Sequence, residues 1–292
     1  MTDSPIPNFG KLHHLGSRHA QFVDTPGEDI EYTEKIDGSQ FSFMLDLEGD
    51  LHFRSKRAVI NPHDPGQFEA GVRSIQERRD LLQPGLIYRG EYLRGPKHNV
   101  LQYARAPQGH VYLFRVDRGH QFFNSTELIF EAKRLGLEMP HVYTEQPNGG
   151  EESCLGGVPA EGYVVKNYDR CCPMTGQFPL MAKWVRPSFR EIAGAEFRKE
   201  NPTPKDIVEQ LALDVCPEAR MEKAVQHLSE QGLLDNSPKD IGILMKELAE
   251  DIRVEASDYI AEQLLKHHLP HIIRKAVRGF PQWYKKRIGY GS

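Results

Sequence analysis

YTEKIDGSQFSF, residues 32–43, sets a lysine two residues before an Asp-Gly pair, with strand-like runs on either side. An Asp-Gly pair in that setting predicts a β-hairpin turn at Asp37-Gly38. On this stretch alone, Lys35 is a solvated charge beside a turn. Whether it is more depends on the residues elsewhere in the chain.

The chain has 292 residues, enough for two domains with a large core. Its 39% hydrophobic and 27% charged residues are those of an ordinary globular protein. No run of about 18 apolar residues predicts a membrane span. The N-terminus, MTDSPIPNFGKLHHLG, lacks a basic-then-apolar signal. Cys154, Cys171, Cys172 and Cys216 lack zinc-site spacing and read as reduced thiols, so a cytoplasmic location is expected.

Residues 1–195 read as mixed and mostly strands. FSFMLDLEGDLHFRSK predicts a hairpin around Glu48-Gly49-Asp50. GLIYRGEYL, HVYLFRVD, EGYVVKNY and FPLMAKWV are short, β-rich and bounded by Gly or Pro. Two helices interrupt them. GQFEAGVRSIQERRDLL carries Phe68, Val72, Ile75 and Leu82. NSTELIFEAKRLGL opens on a Ser/Thr cap signal and closes near Gly136. From residue 196 the pattern turns helical. TPKDIVEQL and SPKDIGILMKEL each offer a Ser/Thr cap (Thr203 or Ser237), a first-position proline (Pro204 or Pro238) and a first-turn aspartate (Asp206 or Asp240). Leu244, Leu248, Ile252, Ile260, Leu264 and Leu265 follow helical spacing, and KENPTPKD has linker composition. The fold class expected is α+β: a domain of antiparallel sheets over 1–195, then an all-α domain over 196–292.

Charge is segregated in the helical part. Residues 196–262 hold 16 Asp/Glu against 8 Lys/Arg, whereas 263–292 hold 7 Lys/Arg and no acid. The basic end mixes Arg274, Lys275, Arg278, Lys285, Lys286 and Arg287 with Phe280, Trp283, Tyr284 and Tyr290. Cations neutralise phosphates and aromatic faces stack on bases, so a nucleic-acid surface competes here with a solvated helix end. His267 and His271 share a helical face, but no third metal ligand accompanies them.

Four strand ends carry charges: Lys35, Glu91 in RGEYL, Glu161 with Lys166 in EGYVVK, and Lys183 in MAKWV. Charges in otherwise apolar strands are costly unless paired or functional. Glu161 and Lys166 are an odd number of residues apart, which in a regular strand puts them on opposite faces. To share a pocket, Glu161 must lie at the strand's lip or a bulge must intervene.

Taken in order, KIDG (35–38), FRSKR (53–57), RGEYL, YLFRVD, EGYVVK and MAKWV resemble the motifs of the covalent nucleotidyltransferases, the family of ATP-dependent polynucleotide ligases and messenger-RNA capping enzymes. The leader FGKLHHLGS, Glu34 before the nucleophile and the helical C-terminus resemble the RNA-ligase branch of phage T4 nick-sealing ligase and trypanosome editing ligases. There are departures. Asp37 stands where that branch has His. Lys56 stands for Arg, with Arg54 and Arg57 as competitors. Phe114 is followed by Arg115, not Asp. The last motif has Lys183 but Val185 and Arg186 in place of a second lysine, unless Met181 takes the first place.

The resemblance implies an ATP-grasp-like nucleotidyltransferase domain and an ATP-dependent RNA ligase joining 5′-phosphate and 3′-hydroxyl RNA ends through lysyl-AMP. It implies Lys35 as nucleophile, with Lys166 and Lys183 as catalytic cations. Glu34, Ile36, Gly38, Lys56, Glu91, Phe114 and Glu161 are implied nucleotide contacts, Phe114 stacking on the base and Glu91 holding the ribose. Glu161 is the implied ligand of magnesium, or of manganese in its stead. Arg54 and the basic end are expected to meet RNA, with neither a membrane nor a protein partner expected. A DNA ligase, a GTP-using capping enzyme, and a non-catalytic RNA-binding protein are the alternatives. Lysine must lose its proton to attack phosphorus, and from an ordinary pKa of about 10.4 it needs nearby cations or burial to do so.

Overall fold

The computed structural model describes residues 4–56, 58–119, 121–176, 178–186, 189 and 207–290. The chain divides into two compact units, 1–190 with 225–237, and 191–224 with 238–292. The expectations for Arg57, for the cap at Thr203-Pro204, for Asp206, for the linker and for the border at 195/196 lie outside the described residues.

Two sheets make the first unit. Sheet A has the order β1-β11-β10-β2-β9, from β1 (His13–His14), β2 (Ile30–Lys35), β9 (Val142–Tyr143), β10 (Gly162–Asn167) and β11 (Leu180–Val185). The leader strand β1 runs parallel to β11, and the other pairs are antiparallel. Sheet B is antiparallel throughout, with the order β5-β4-β3-β6-β7-β8. Its strands are β3 (Ser39–Leu45), β4 (Leu51–Ser55), β5 (Val59–Ile60), β6 (Ile87–Tyr92), β7 (Val111–Arg118) and β8 (Gln121–Phe122).

Strand alternation decides what each sheet buries. Phe41, Phe43, Phe53, Tyr88 and Leu113 point to one side of sheet B. There they pack with Val72 and Ile75 of α1 (Glu69–Gln76) and Leu128, Ala132 and Leu135 of α2 (Ser125–Leu135). Sheet A buries Tyr32, Tyr163, Val165, Leu180 and Ala182, with Trp184 stacked on Tyr163 at 5.2 Å. The opposite sides, rich in charged and polar residues, are left for other work.

Three local expectations need correction. Asp37-Gly38 is no hairpin turn, because β2 belongs to sheet A and β3 to sheet B; the stretch carries the chain from one sheet to the other. Asp-Gly chemistry specifies a tight turn, but pairing is decided by which hydrophobic faces can be buried together. The helix predicted over 66–82 is shorter, breaking into 3-10 turns at Gly66–Phe68 and Arg79–Leu81. Asn124, not a Ser or Thr, caps α2: its side chain accepts from the Glu127 amide while Glu127 reaches back to the Asn124 amide. Gly136 closes that helix at φ 59°, as expected. The hairpin around Gly49 forms as β3–β4.

The described part of residues 207–290 holds helices and no strand: α3 (Ile207–Val215), α4 (Glu218–Glu230), α5 (Ile241–Asp251), α6 (Ser257–Ala276) and α7 (Phe280–Arg287). At Pro238 the chain first makes a 3-10 turn, Pro238–Asp240, before α5. In the second unit the buried Arg220 guanidinium pairs with Asp251, and the Tyr259 hydroxyl donates to Asp214 at 2.9 Å. From Leu265 to Tyr290 every residue is exposed. Among the described residues no helix is long and apolar enough to cross a membrane, and all four cysteines are free thiols.

Candidate active site

The register of sheet A brings distant residues onto one face. Lys35 pairs with Gly162, Thr33 with Val164 and Glu31 with Lys166, while Val164 also pairs with Lys183. Register partners point to the same side. Glu31, Lys35, Lys166 and Lys183 therefore share one face, across three strands that the sequence separates widely. Met181 and Val185 lie on that face too, since they flank Lys183 at two-residue intervals.

Glu161 immediately precedes β10 and so sits at its lip, one of the two arrangements its odd spacing from Lys166 allowed. Its Oε2 accepts from Lys35 Nζ at 2.6 Å. The Lys35 and Glu161 side chains are 24% and 13% exposed. Lys166 Nζ makes a similar pair with Glu31 Oε1 at 2.7 Å. Gly162 explains the glycine after Glu161: a Cβ there would meet the Trp184 carbonyl oxygen at 2.0 Å. Gly38 answers a second close approach, because its Cβ would lie 2.7 Å from both Glu91 Cγ and the Tyr92 carbonyl oxygen. Gly162 thus lets β10 and β11 pair closely within sheet A, and Gly38 lets the chain leaving Lys35 pass against β6 of sheet B.

The electrostatics favour a charged lysine. Burial alone would lower the Lys35 pKa, but Glu161, Glu91 and Asp37 outweigh it and hold the ammonium well above the usual lysine range. Burial pushes the Glu91 carboxyl up to about 8, against the pull of Lys35. Burial likewise raises Glu161, opposed by Lys35 and Lys183.

The remaining implied contacts fall in several places. Ile36 is buried among Leu93, Leu101, Tyr103, Tyr112 and Leu155. Glu34 lies on the face of β2 opposite Lys35, paired in register with Tyr163. One of its oxygens accepts from the Cys154 amide at 3.0 Å, while Oε1 is buried without a hydrogen-bond partner. Phe114 is the extra residue where the β6–β7 register shifts, since Arg89 pairs with Arg115 and Gly90 with Leu113. The bulge re-aims its ring, which meets Phe9 of the leader at 5.5 Å. Arg54 Nε donates to Asn8 Oδ1 at 2.8 Å, so it is tied to that leader as well. Lys56 is exposed just past β4. Arg186, beside the expected second lysine, donates to the Ala160 and Glu151 carbonyls at 3.1 and 3.2 Å. Val185 is buried. Arg274, Lys275, Arg278, Lys285, Lys286 and Arg287 are all exposed on α6, α7 and the turn between them, with Arg287 over the Trp283 ring.

Sequence reasoning did not find the residues that fix the turn after Lys35. The Asp37 carboxylate accepts from Asn99 Nδ2 at 3.0 Å and from the Val100 and Leu101 amides at 3.0 and 2.9 Å. The Asp37 amide donates to the Tyr103 hydroxyl at 2.7 Å. These partners lie in an irregular loop with no periodicity, and the run of Gly and Pro in RGPKHNV was its one visible signal.

The donor set suits a hard divalent cation. Glu161 offers carboxylate oxygens beside Lys35, as magnesium prefers, and no soft thiolate joins it among the described residues.

The family model for RNA ligase matches residues 28–185. Among solved structures the chain is similar to Naegleria gruberi RNA ligase with PPi, at 17% identity and TM-score 0.49, covering 67% of this chain and 59% of that one. A mutant of the same Naegleria enzyme with ATP and Mn matches at 16% identity and TM-score 0.46, over 62% of this chain and 56% of that one. The chain thus spans under two thirds of the length of these relatives. No curated protein matches it.

Proposed function

The chain belongs to the RNA ligase family, and from that premise we propose that it is an ATP-dependent ligase that adenylylates Lys35 and seals RNA ends. The observation that carries this reading is Lys35 Nζ, 2.6 Å from Glu161 on a face shared with Lys166 and Lys183. In the first step the Lys35 amine forms a bond to the α-phosphorus of ATP as the α–β phosphoanhydride breaks. Pyrophosphate leaves, and the lysine nitrogen sheds two protons on going from ammonium to phosphoramidate, taken up by water and by the departing pyrophosphate. AMP then passes to a 5′-phosphate end, and a 3′-hydroxyl attacks that end and expels AMP. Splitting the joining reaction in this way divides one barrier into smaller ones.

In the free protein Lys35 is an ammonium locked to a carboxylate, and so is not a nucleophile. Glu161, with phosphate oxygens, would hold magnesium, which neutralises that carboxylate and offsets phosphate charge when bound. Lys183 and Lys166 add cations on the same face and stabilise charge that develops on the phosphate oxygens. Glu91 protrudes from β6 beside Lys35, in reach of a ribose. Phe114 supplies a base-stacking ring. Glu34 Oε1 is a buried acceptor without a donor, suited to an exocyclic amine such as that of adenine. This amine is absent from guanine at the same ring position, so the pocket favours ATP over GTP. Arg54 and the exposed basic aromatic end of α6 and α7 would hold the RNA backbone. A cytoplasmic location agrees with the four free thiols.

The test is incubation with ATP or GTP labelled at the α-phosphate plus magnesium. The expected result is label on the protein from ATP, lost in Lys35→Ala. Label from GTP would favour a capping-type enzyme. No label on folded, nucleotide-free protein overturns the enzyme reading and leaves an RNA-binding protein, a reading for which the buried Val185 in the last motif is the specific observation. RNA and DNA nicks then separate the two kinds of ligase.

A further inference from the structure

We propose that Asn99 is a positioning residue for the adenylylation step, acting through Asp37; this rests on the lysyl-AMP reading above. Asn99 stands between two elements remote in sequence. Its Nδ2 donates to Asp37 Oδ1 at 3.0 Å and to the Gly38 carbonyl at 2.7 Å. Its Oδ1 accepts from Gln226 Nε2 of α4. That set fixes the amide orientation, because a flip would turn an NH2 group toward the Gln226 NH2 and an oxygen toward two acceptors.

Gln226 is held in its turn. Its Nε2 also donates to Glu230 Oε1 at 2.7 Å and to the His98 carbonyl at 3.3 Å. Glu230 accepts from Ser39 Oγ at 3.3 Å, and Ser39 meets His98 Nε2 at 3.0 Å. Both ends of the stretch 35–39 are therefore gripped, Lys35 by Glu161 and Ser39 by His98 and Glu230. Residues 225–237 cluster with the first unit although they lie far along the chain. Bracing the turn after the nucleophile gives that clustering a use.

The consequence is geometric. Asn99 touches neither Lys35 nor any implied nucleotide contact except the Gly38 carbonyl, so its loss should leave ATP binding in place and misdirect the amine. Misplacement of a reacting group by a fraction of an ångström costs on the order of tenfold in rate.

The experiment is single-turnover formation of labelled lysyl-protein across ATP concentrations, on the full chain. For Asn99→Ala the maximal rate should fall about tenfold, with half-saturating ATP changed by less than about twofold. Gln226→Leu, which leaves the Asp37 contacts whole, should fall about threefold. In an Asp37→Ala background Asn99→Ala should cost clearly less than it does alone, the remainder reflecting its bond to the Gly38 carbonyl. A merely structural role would reduce the fraction of protein labelled and leave the rate of the labelled fraction alone. An unchanged rate in Asn99→Ala, or an equal loss in the Asp37→Ala background, overturns the proposal while wild-type labelling stands. Absence of wild-type labelling instead removes the adenylylation reading, and this proposal with it.

Discussion

Replacing Lys35 with alanine should destabilise the folded protein as well as silence it. Lys35 is the cation between Glu161 and Glu91, and Glu161 accepts from it at 2.6 Å. At that distance, opposite unit charges attract by roughly 6 kcal/mol with an effective dielectric constant of about 20. Desolvation of both groups offsets much of this. What the truncation exposes is the uncompensated carboxylate, and losing one partner of a buried pair costs about 3–5 kcal/mol. The two side chains are 24% and 13% exposed, so the lower end applies, about 2–3 kcal/mol after screening. For a unit of this size that lowers the melting temperature by roughly 5–10 °C. Tryptophan fluorescence suits the assay, because Trp184 stacks on Tyr163 two strands from Lys35. Glu161→Gln placed on top of Lys35→Ala removes the stranded charge and should recover most of the loss. A Lys35→Ala protein as stable as nucleotide-free wild type, or a double variant no better than the single, would refute the account.

Gly162→Ala drives a methyl to 2.0 Å from the Trp184 carbonyl oxygen, so it should cost at least about 3 kcal/mol of stability in urea denaturation; an unchanged midpoint means the strands can part there. Glu91 should make stability pH-dependent. Its folded pKa of about 8 exceeds the ordinary 4.5, so the folded state holds a proton that the unfolded chain releases, and its contribution is full below 4.5 and lost as pH rises through 8. Glu91→Gln should flatten that decline in melts across pH 5 to 9, and an unaltered slope would count against a buried carboxyl. Arg220→Leu should cost about 3–5 kcal/mol by stranding Asp251 in the second unit, with Asp251→Leu on the same chain restoring much of it; a mild single variant would show that water reaches the aspartate. Replacing Lys285, Lys286 and Arg287 together by alanine should weaken binding of single-stranded RNA and flatten its log–log salt dependence by about 2. An unchanged salt slope places the RNA elsewhere.

Sequence reading reached the strands because they alternate and end at Gly or Pro. EGYVVK, RGEYL and MAKWV lie in or beside strands, and the register of sheet A places Lys35, Lys166 and Lys183 on one face. The spacing of five residues left Glu161 either at the strand's lip or beside a bulge, and it takes the lip of β10. Pairing was less legible. Asp37-Gly38 looked like a hairpin because local turn chemistry does not encode which sheet the next strand will join. The bulge at Phe114 left no mark in the sequence, since one extra residue alters neither composition nor hydropathy. Asn99 and Tyr103 could not be read either: Asn99 meets the Asp37 carboxylate and Tyr103 the Asp37 amide, each more than 60 residues away, from a loop without period. The cap of α2 was misread by one residue because Asn, Ser and Thr stand consecutively at 124–126, and all three are good caps.

The passage of the chain from sheet A to sheet B through residues 36–38 also limits how far the two sheets can part beside Lys35. Lys35 and Ser39 are joined by four peptide units, which span at most about 13 Å, and Asp37 is pinned to a third segment. The two sheets are therefore bound together there like pages at a spine. Lys35 sits at the bound edge. The amine therefore stands on the last residue of β2, where the two sheets are tied to each other by the shortest stretch of chain.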